Sequence, residues 1–219
     1  MTIFKRSVFG CYGPDTALFR SLGWNVLSSH DGSEARARRL AELRPGRHEL
    51  AEVLAFFDEL PAVRVADMFG TWRGGPLPTG HRLDGVLETL GWYGKRFIDD
   101  DDVRPLLFHD SRGVFEVNPD LVPVSFAVDH GLRLARWAPS ARAARRAIRL
   151  LKTDKPKARL RMIEHRGVVT ATMAYDGIPV NDHFRRVDER TVIGLMDIRG
   201  YTETPFLFTL ERFGPRKLT

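Results

Sequence analysis

Between Asp31 and Leu60 apolar side chains recur at helical spacing in two pieces. The first covers residues 33–43 and stops at Pro45-Gly46; the second covers 49–60, with Leu50, Val53, Leu54 and Phe57 on one stripe before Pro61. A third helical stretch is predicted over 82–90, after a turn-rich run from Gly74 to Gly80. A fourth, 140–151, opens with Ser140 as a candidate N-cap after Pro139. The first 30 residues are rich in glycine and aromatics and show no clean period, apart from a short helical stretch over 15–22. From Ala158 onward the period switches to two, and β-branched runs alternate with turn residues. Five strands are predicted, over 159–165, 168–176, 180–187, 191–198 and 205–213, forming an antiparallel meander.

Tight turns fix register, so facing residues follow from the loops. With Glu189-Arg190 as a two-residue loop, Asp188 faces Thr191, which sets Asp182 opposite Asp197, Phe184 opposite Leu195 and His183 opposite Met196. The preceding turns set Met173 opposite Asp182 and Ala171 opposite Met162. One face then carries Leu160, Met162, Ala171, Met173, Tyr175, Phe184, Ile193 and Leu195, together with Asp182 and Asp197. The other carries Arg159, Arg161, His165, Thr170, Thr172, His183 and Arg185. The first is the interior, and His183 faces out, because successive strand residues point to opposite sides.

Two carboxylates in contact within an apolar space do not both ionise, so one holds a proton near neutrality. That is general acid–base equipment, and Tyr175 lies on the same face. A second reading stays open, in which Asp182 forms a structural ion pair with a buried arginine such as Arg73 or Arg212.

The composition narrows the classes. With 219 residues, 43% hydrophobic and 28% charged, the chain is an ordinary globular sequence of one to one and a half domains. A lone Cys11 makes no intramolecular disulfide, and no apolar run is long enough to cross a bilayer, so a cytoplasmic protein with no membrane partner is expected. The formal charge is +6, but the 28 Arg and 6 Lys are interspersed with acids except between Arg133 and Arg149, which reads as a solvated helix face. No nucleic-acid partner is therefore expected. The four acids Asp99 to Asp102 read as a solvated loop, since consecutive residues do not converge on one cation. The absence of a dinucleotide glycine motif, a P-loop or zinc-type spacing points to no cofactor and no metal.

The stretch Gly70-Thr71-Trp72-Arg73-Gly74, followed by TGHRLDGVLETLGWYGKRF from Thr79 to Phe97, resembles the GXWXG domain family. The stretch from Arg159 to Asp197 resembles the domain of unknown function (4334) that commonly follows it. A Gly-X-Trp opening a strand ahead of a meander is also similar to lipocalin-like and nitrobindin-like barrels. The resemblance implies a mainly β fold, an antiparallel lipocalin-like barrel with several flanking helices, in which Trp72 closes one end and Arg212 from the last strand packs across it. It divides the chain into an N-terminal extension, 1–46, a GXWXG-like part, 47–151, and a meander, 152–219, that completes a shared barrel. Haem binding of the nitrobindin kind is disfavoured, because His165 sits at a turn and His183 reads outward.

Within the second motif, His81 and Asp84 are three residues apart at a helix start and can meet on one face or simply cap it. Trp92, Tyr93, Lys95 and Arg96 follow the glycine that ends that helix, and Trp92, Tyr93 and Lys95 offer aromatic walls with one cation for the polar end of an apolar ligand. The expected function is binding of a small hydrophobic molecule. The chemistry is cofactor-free isomerisation, cyclisation or hydration/dehydration by Asp182, Asp197 and Tyr175, with His81, Asp84, Trp92, Tyr93, Lys95, Met173, Phe184 and Phe208 as substrate-binding residues. The alternative is a non-catalytic carrier.

Overall fold

The computed structural model describes residues 28–122 and 138–214, so the helical stretch expected over 15–22, Cys11 and the start of the Arg133–Arg149 segment lie outside the described residues. Five helices are present among them: α1 Ser28–Leu43, α2 Leu50–Glu59, α3 Val65–Met68, α4 Val86–Leu90 and α5 Ala138–Ile148. The third predicted helix is shorter than expected because residues 82–85 are turn and Gly85 adopts a left-handed conformation immediately before α4.

All five strands of the meander form: β5 Ala158–His165, β6 Val168–Tyr175, β7 Val180–Arg186, β8 Thr191–Ile198 and β9 Phe206–Phe213. Four strands precede them: β1 Gly70–Pro76, β2 Trp92–Phe97, β3 Val103–Asp110 and β4 Gly113–Glu116. The order β1-β9-β8-β7-β6-β5-β3-β2 returns to β1, closing an antiparallel ring of eight strands, with β4 attached to β3. Closure removes the free edges that an open sheet would expose. The ring is unevenly joined: β5 and β6 share eight residue pairs, from Ala158↔Tyr175 to His165↔Val168, whereas β3 meets β5 at the single pair Val103↔Ala158. The four acids form the β2–β3 turn, where Asp99 accepts the backbone N–H groups of Asp101 and Asp102.

Two apolar layers result. Inside the ring, Trp72, Phe97, Leu160, Met173, Phe184 and Phe208 are buried together. Outside it, Leu43, Val53, Phe57 and Leu60 of the α1–α2 region cover Ile193, Leu195 and Leu207. The outer layer exposes the error in the predicted register. Between β7 and β8 the loop holds three residues, not two: Val187 N–H donates to Thr191 O at 3.0 Å, and Asp188 Oδ1 accepts the N–H of Arg190 at 2.7 Å. Arg212 N–H also donates to Arg190 O, tying the loop to β9. The extra residue shifts the ladder by one, so Asp182 faces Met196, His183 faces Leu195 and Asp197 faces Asn181. A one-residue shift inverts a whole strand. Asp197 therefore lies on the outward face with Ile193 and Leu195, and the predicted contact between Asp182 and Asp197 does not exist. The registers of the two preceding hairpins are as predicted, with Met162↔Ala171 and Met173↔Asp182.

The motif at the start of β1 has a packing explanation. The Trp72 ring lies under the Arg212 guanidinium, 4.3 Å from its centroid, and its Nε1 donates to Met68 O at 2.6 Å. Arg212 also donates to the carbonyls of Asp67 and Phe69. This is a desolvated cation–π cover on one end of the ring. At Gly74 a Cβ would stand 2.2 Å from the Trp92 ring, so the second motif glycine makes room for that indole.

Asp67, 8% exposed, caps the same end through Arg64 and Arg186, with Arg186 Nη2 at 2.5 Å from Oδ2. Arg64, and after it Arg186, holds its carboxyl down at about 2, against the opposing effect of burial. Relative to an unfolded carboxyl near 3.9, this contributes about 2 kcal/mol of stability at neutral pH. The sign follows from a depressed folded-state value: the contribution is complete above about pH 4 and is lost as pH falls through about 2. Denaturant unfolding of Asp67→Asn is expected to show a loss of about 2 kcal/mol at pH 7 and convergence with the parent near pH 2. A constant difference across that range would refute the assignment.

Candidate functional site

The interior holds a cavity of about 120 Å³ between the ring and a cover made by α4, the turn at Pro119–Leu121 and Ile148. Its walls are almost wholly apolar: Leu83, Val86, Leu87 and Leu90 come from one side of α4 and its approach, and Leu106, Phe108, Met196 and Phe206 from the strands. The 83, 86, 87, 90 spacing is a helical stripe legible in the sequence. The glycine at 91, with φ +85°, ends α4 and turns the chain into β2; a Cβ there would stand 2.9 Å from His109 O.

Three ionisable side chains among the described residues reach this apolar space. Lys95 Nζ lies 2.8 Å from Asp182 Oδ2, with both side chains essentially sealed from solvent. It donates to Pro105 O at 3.1 Å and stands 3.4 Å from the Tyr175 hydroxyl. The rings of Phe208, Tyr175 and Trp92 surround the ammonium at 5.1, 5.7 and 5.8 Å. Asp182 Oδ1 and Trp92 Nε1 are buried and find no hydrogen-bond partner among the described residues. Burial pushes the Asp182 carboxyl above the usual carboxylate range, with Lys95 pulling the other way. Burial, reinforced by the Asp182 charge, pushes the Tyr175 phenol well above its ordinary value, so it stays protonated.

Lys95 reaches the interior because of a backbone irregularity. Trp92 and Lys95 are three apart, yet both line the cavity, which simple alternation forbids. The β2–β3 register shifts on either side of Gly94, and Gly94, with φ +143°, packs so tightly on β1 that a Cβ would lie 2.0 Å from Trp72 O. A bulge there restores the inward direction three residues after Trp92.

Among the predicted site residues, Asp182, Tyr175, Lys95, Trp92 and Phe208 come together at the cavity. The partner of Asp182 is a lysine, not Asp197 and not Arg73 or Arg212. Met173 and Phe184 are fully buried in the surrounding core, Phe184 against Phe97 at 5.7 Å, and do not line the cavity. Tyr93 faces away, with its ring against His109 and Phe213. His81 lines a separate polar pocket with Arg82 and Tyr201, packs on Phe206 at 5.4 Å, and is held neutral by burial, its value lowered to about 4. Asp84 accepts the N–H groups of Thr79 and Gly80 and so staples its own loop. In the basic segment, Arg145 donates to Thr89 O and Arg149 pairs with Asp110.

A GXWXG protein family model matches residues 55–113, and the model of a domain of unknown function, DUF4334, matches residues 156–212. A crystal structure of a protein from Thermomonospora curvata is 33% identical, covering 84% of this chain and 99% of that one, with a TM-score of 0.60. The chain belongs to the GXWXG family. No curated protein matches it. The two matched segments of this GXWXG protein supply strands β1–β3 and, up to Arg212, β5–β9, and the cavity takes Lys95 from the first and Asp182 and Tyr175 from the second. No helix among the described residues is long and apolar enough to cross a membrane.

Proposed function

We propose that this GXWXG protein binds a small, mostly apolar molecule inside the ring and holds its one polar function against Lys95, Asp182 and Tyr175. The observation that carries this reading is the Asp182 Oδ1 atom, buried at an apolar cavity and lacking a hydrogen-bond partner among the described residues. Leaving such an acceptor unmade costs on the order of 1–3 kcal/mol, which a ligand hydroxyl would recover. The cavity, about 120 Å³, is close in size to apolar cavities of about 150 Å³ that admit benzene. Phenol and toluene are therefore suitable probes. Calorimetry on the full chain is expected to give roughly 10-fold tighter binding of phenol than of toluene, the difference one hydrogen bond supports. Equal affinities, or no binding of either, would overturn the reading. Native mass spectrometry of the purified protein would in parallel weigh any co-purifying molecule.

A second reading adds chemistry at the same place. A carboxyl raised by burial, beside an ammonium and a protonated phenol, suits proton transfer, as in cofactor-free isomerisation, cyclisation or hydration/dehydration. Asp182 acts there without a second aspartate. A co-purified molecule incubated with the protein in deuterated water should gain label with the parent and none with Asp182→Asn; absence of label with the parent leaves the carrier reading standing.

A further inference from the structure

We propose that His165, His183 and Asp197 form a binding site for one divalent transition-metal ion of the zinc type, on the outward face of the sheet and separate from the cavity. One ligand atom from each of the three lies within 4.8 Å of the others. They come from the end of β5, the middle of β7 and the end of β8. Two imidazoles and a carboxylate form a common ligand set for zinc with an open fourth position.

The surroundings of the two His183 ring nitrogens are the second observation. Thr172 Oγ1 stands 2.9 Å from His183 Nδ1 and 3.2 Å from Thr170 O, and a hydroxyl that gives its one proton to Thr170 O accepts from His183 Nδ1. In that arrangement a neutral His183 carries its proton on Nδ1 and presents a lone pair at Nε2. That Nε2 atom is buried, in a side chain 2% exposed, and has no hydrogen-bond partner among the described residues. A hydroxyl that fixes the far nitrogen while the near one is left bare is the outer-shell arrangement of metal-binding histidines.

The surroundings carry charge of both signs: Asp58 and Asp197 favour a cation beside His165, while Arg166 and Arg185 oppose it. Arg166 is paired with Asp58 through two contacts of 2.6 Å. Arg185 turns its guanidinium to the carbonyls of Leu60 and His165 and to the Phe57 ring. His165 and Asp197 are half-buried, which leaves a route to solvent. The His165 ring stacks on His183 at 3.8 Å, and metal bonds of about 2.0–2.1 Å to both rings require it to rotate out of that stack. It is the last residue of β5, beside the Arg166-Gly167 turn, where rotation disturbs no further strand residue.

Titration of the chelator-stripped full chain with cobalt(II), followed by its visible absorption and then by zinc(II) competition, tests the site. One equivalent is expected to bind and to be displaced by zinc. His165→Ala and Asp197→Ala, both at half-buried positions, should each weaken binding by at least about 100-fold, and Thr172→Val by about 10-fold. Lack of a saturable one-equivalent spectrum in the parent would overturn the proposal. So would a spectrum unchanged in both His165→Ala and Asp197→Ala, even if His183→Ala fails to fold.

Discussion

Lys95→Met is expected to destabilise the protein by about 3–5 kcal/mol, and Asp182→Leu by a comparable amount, whereas the double variant should recover most of the loss. The reason is that each single change strands a charge where no water reaches. Lys95 is 2% exposed and Asp182 fully buried, and their attraction offsets two desolvation costs that neither bears alone. The two losses differ in kind. A stranded ammonium still has Pro105 O and three aromatic rings around it. A stranded Asp182 has no other partner among the described residues and would take up a proton, because Lys95 is what opposes the upward push of burial. The Lys95→Met deficit should therefore shrink as pH is lowered toward the protonation of Asp182 and widen above it, since a carboxyl raised in the folded state binds its proton more tightly there than when unfolded. Denaturant unfolding of the four proteins, at two pH values, measures all of this. Additive single losses in the double variant would mean the pair is not coupled and would remove the basis of the proposed binding site.

Gly94→Ala should cost about 3 kcal/mol or more and should take ligand binding with it. The added methyl group would meet a backbone carbonyl, Trp72 O, at 2.0 Å, and the φ of +143° is one that alanine rarely adopts. Backbone strain of about 1–3 kcal/mol and a steric clash of similar size act together. Relief requires β2 to move off β1, which undoes the bulge that aims Lys95 inward. Gly74→Ala, which strikes the Trp92 ring and not backbone, should be less severe in unfolding experiments but should still reshape the cavity. A Gly94→Ala protein with parental stability and phenol affinity would show that the bulge is dispensable.

What the sequence disclosed follows the range of the interactions involved. Hairpins closed by Arg166-Gly167 and by the turn before Val180 are local, and their registers were readable. The next hairpin departs from its predicted register because its third loop residue is fixed by Asp188 locally and by Arg212 of β9, a partner no turn rule includes. One signal was present: Gly194 within a strand marks a close approach, and its Cβ would indeed meet Phe208 at 2.3 Å on the inner face. With Gly194 inward, Ile193 and Leu195 must face out, which calls for the helical cover that α1 and α2 provide. Strand β3 is masked in the sequence by Pro105, yet that residue contributes the carbonyl that Lys95 uses. Asp182 and Tyr175 were identifiable as inward polar residues on an apolar face. Their lysine was not paired with them, since a bulge between Trp92 and Lys95 defeats any count by twos. The histidine–aspartate cluster draws one ligand from each of three strands, so no short motif announces it.

The lone ladder pair between β3 and β5 makes the ring behave like a split washer. Across the gap two backbone bonds, Lys157 N–H to Val103 O at 3.1 Å and Leu160 N–H to Asp100 O at 2.8 Å, are joined by side-chain contacts from Arg104 to the Asp154 carbonyl and from Arg161 to Asp101. So few bonds part and re-form more cheaply than the full ladder of a longer joint. Widening the circumference for a guest bulkier than benzene thus costs least at this slit, and the longest ladders, β5–β6 and β7–β8, stay closed while it breathes.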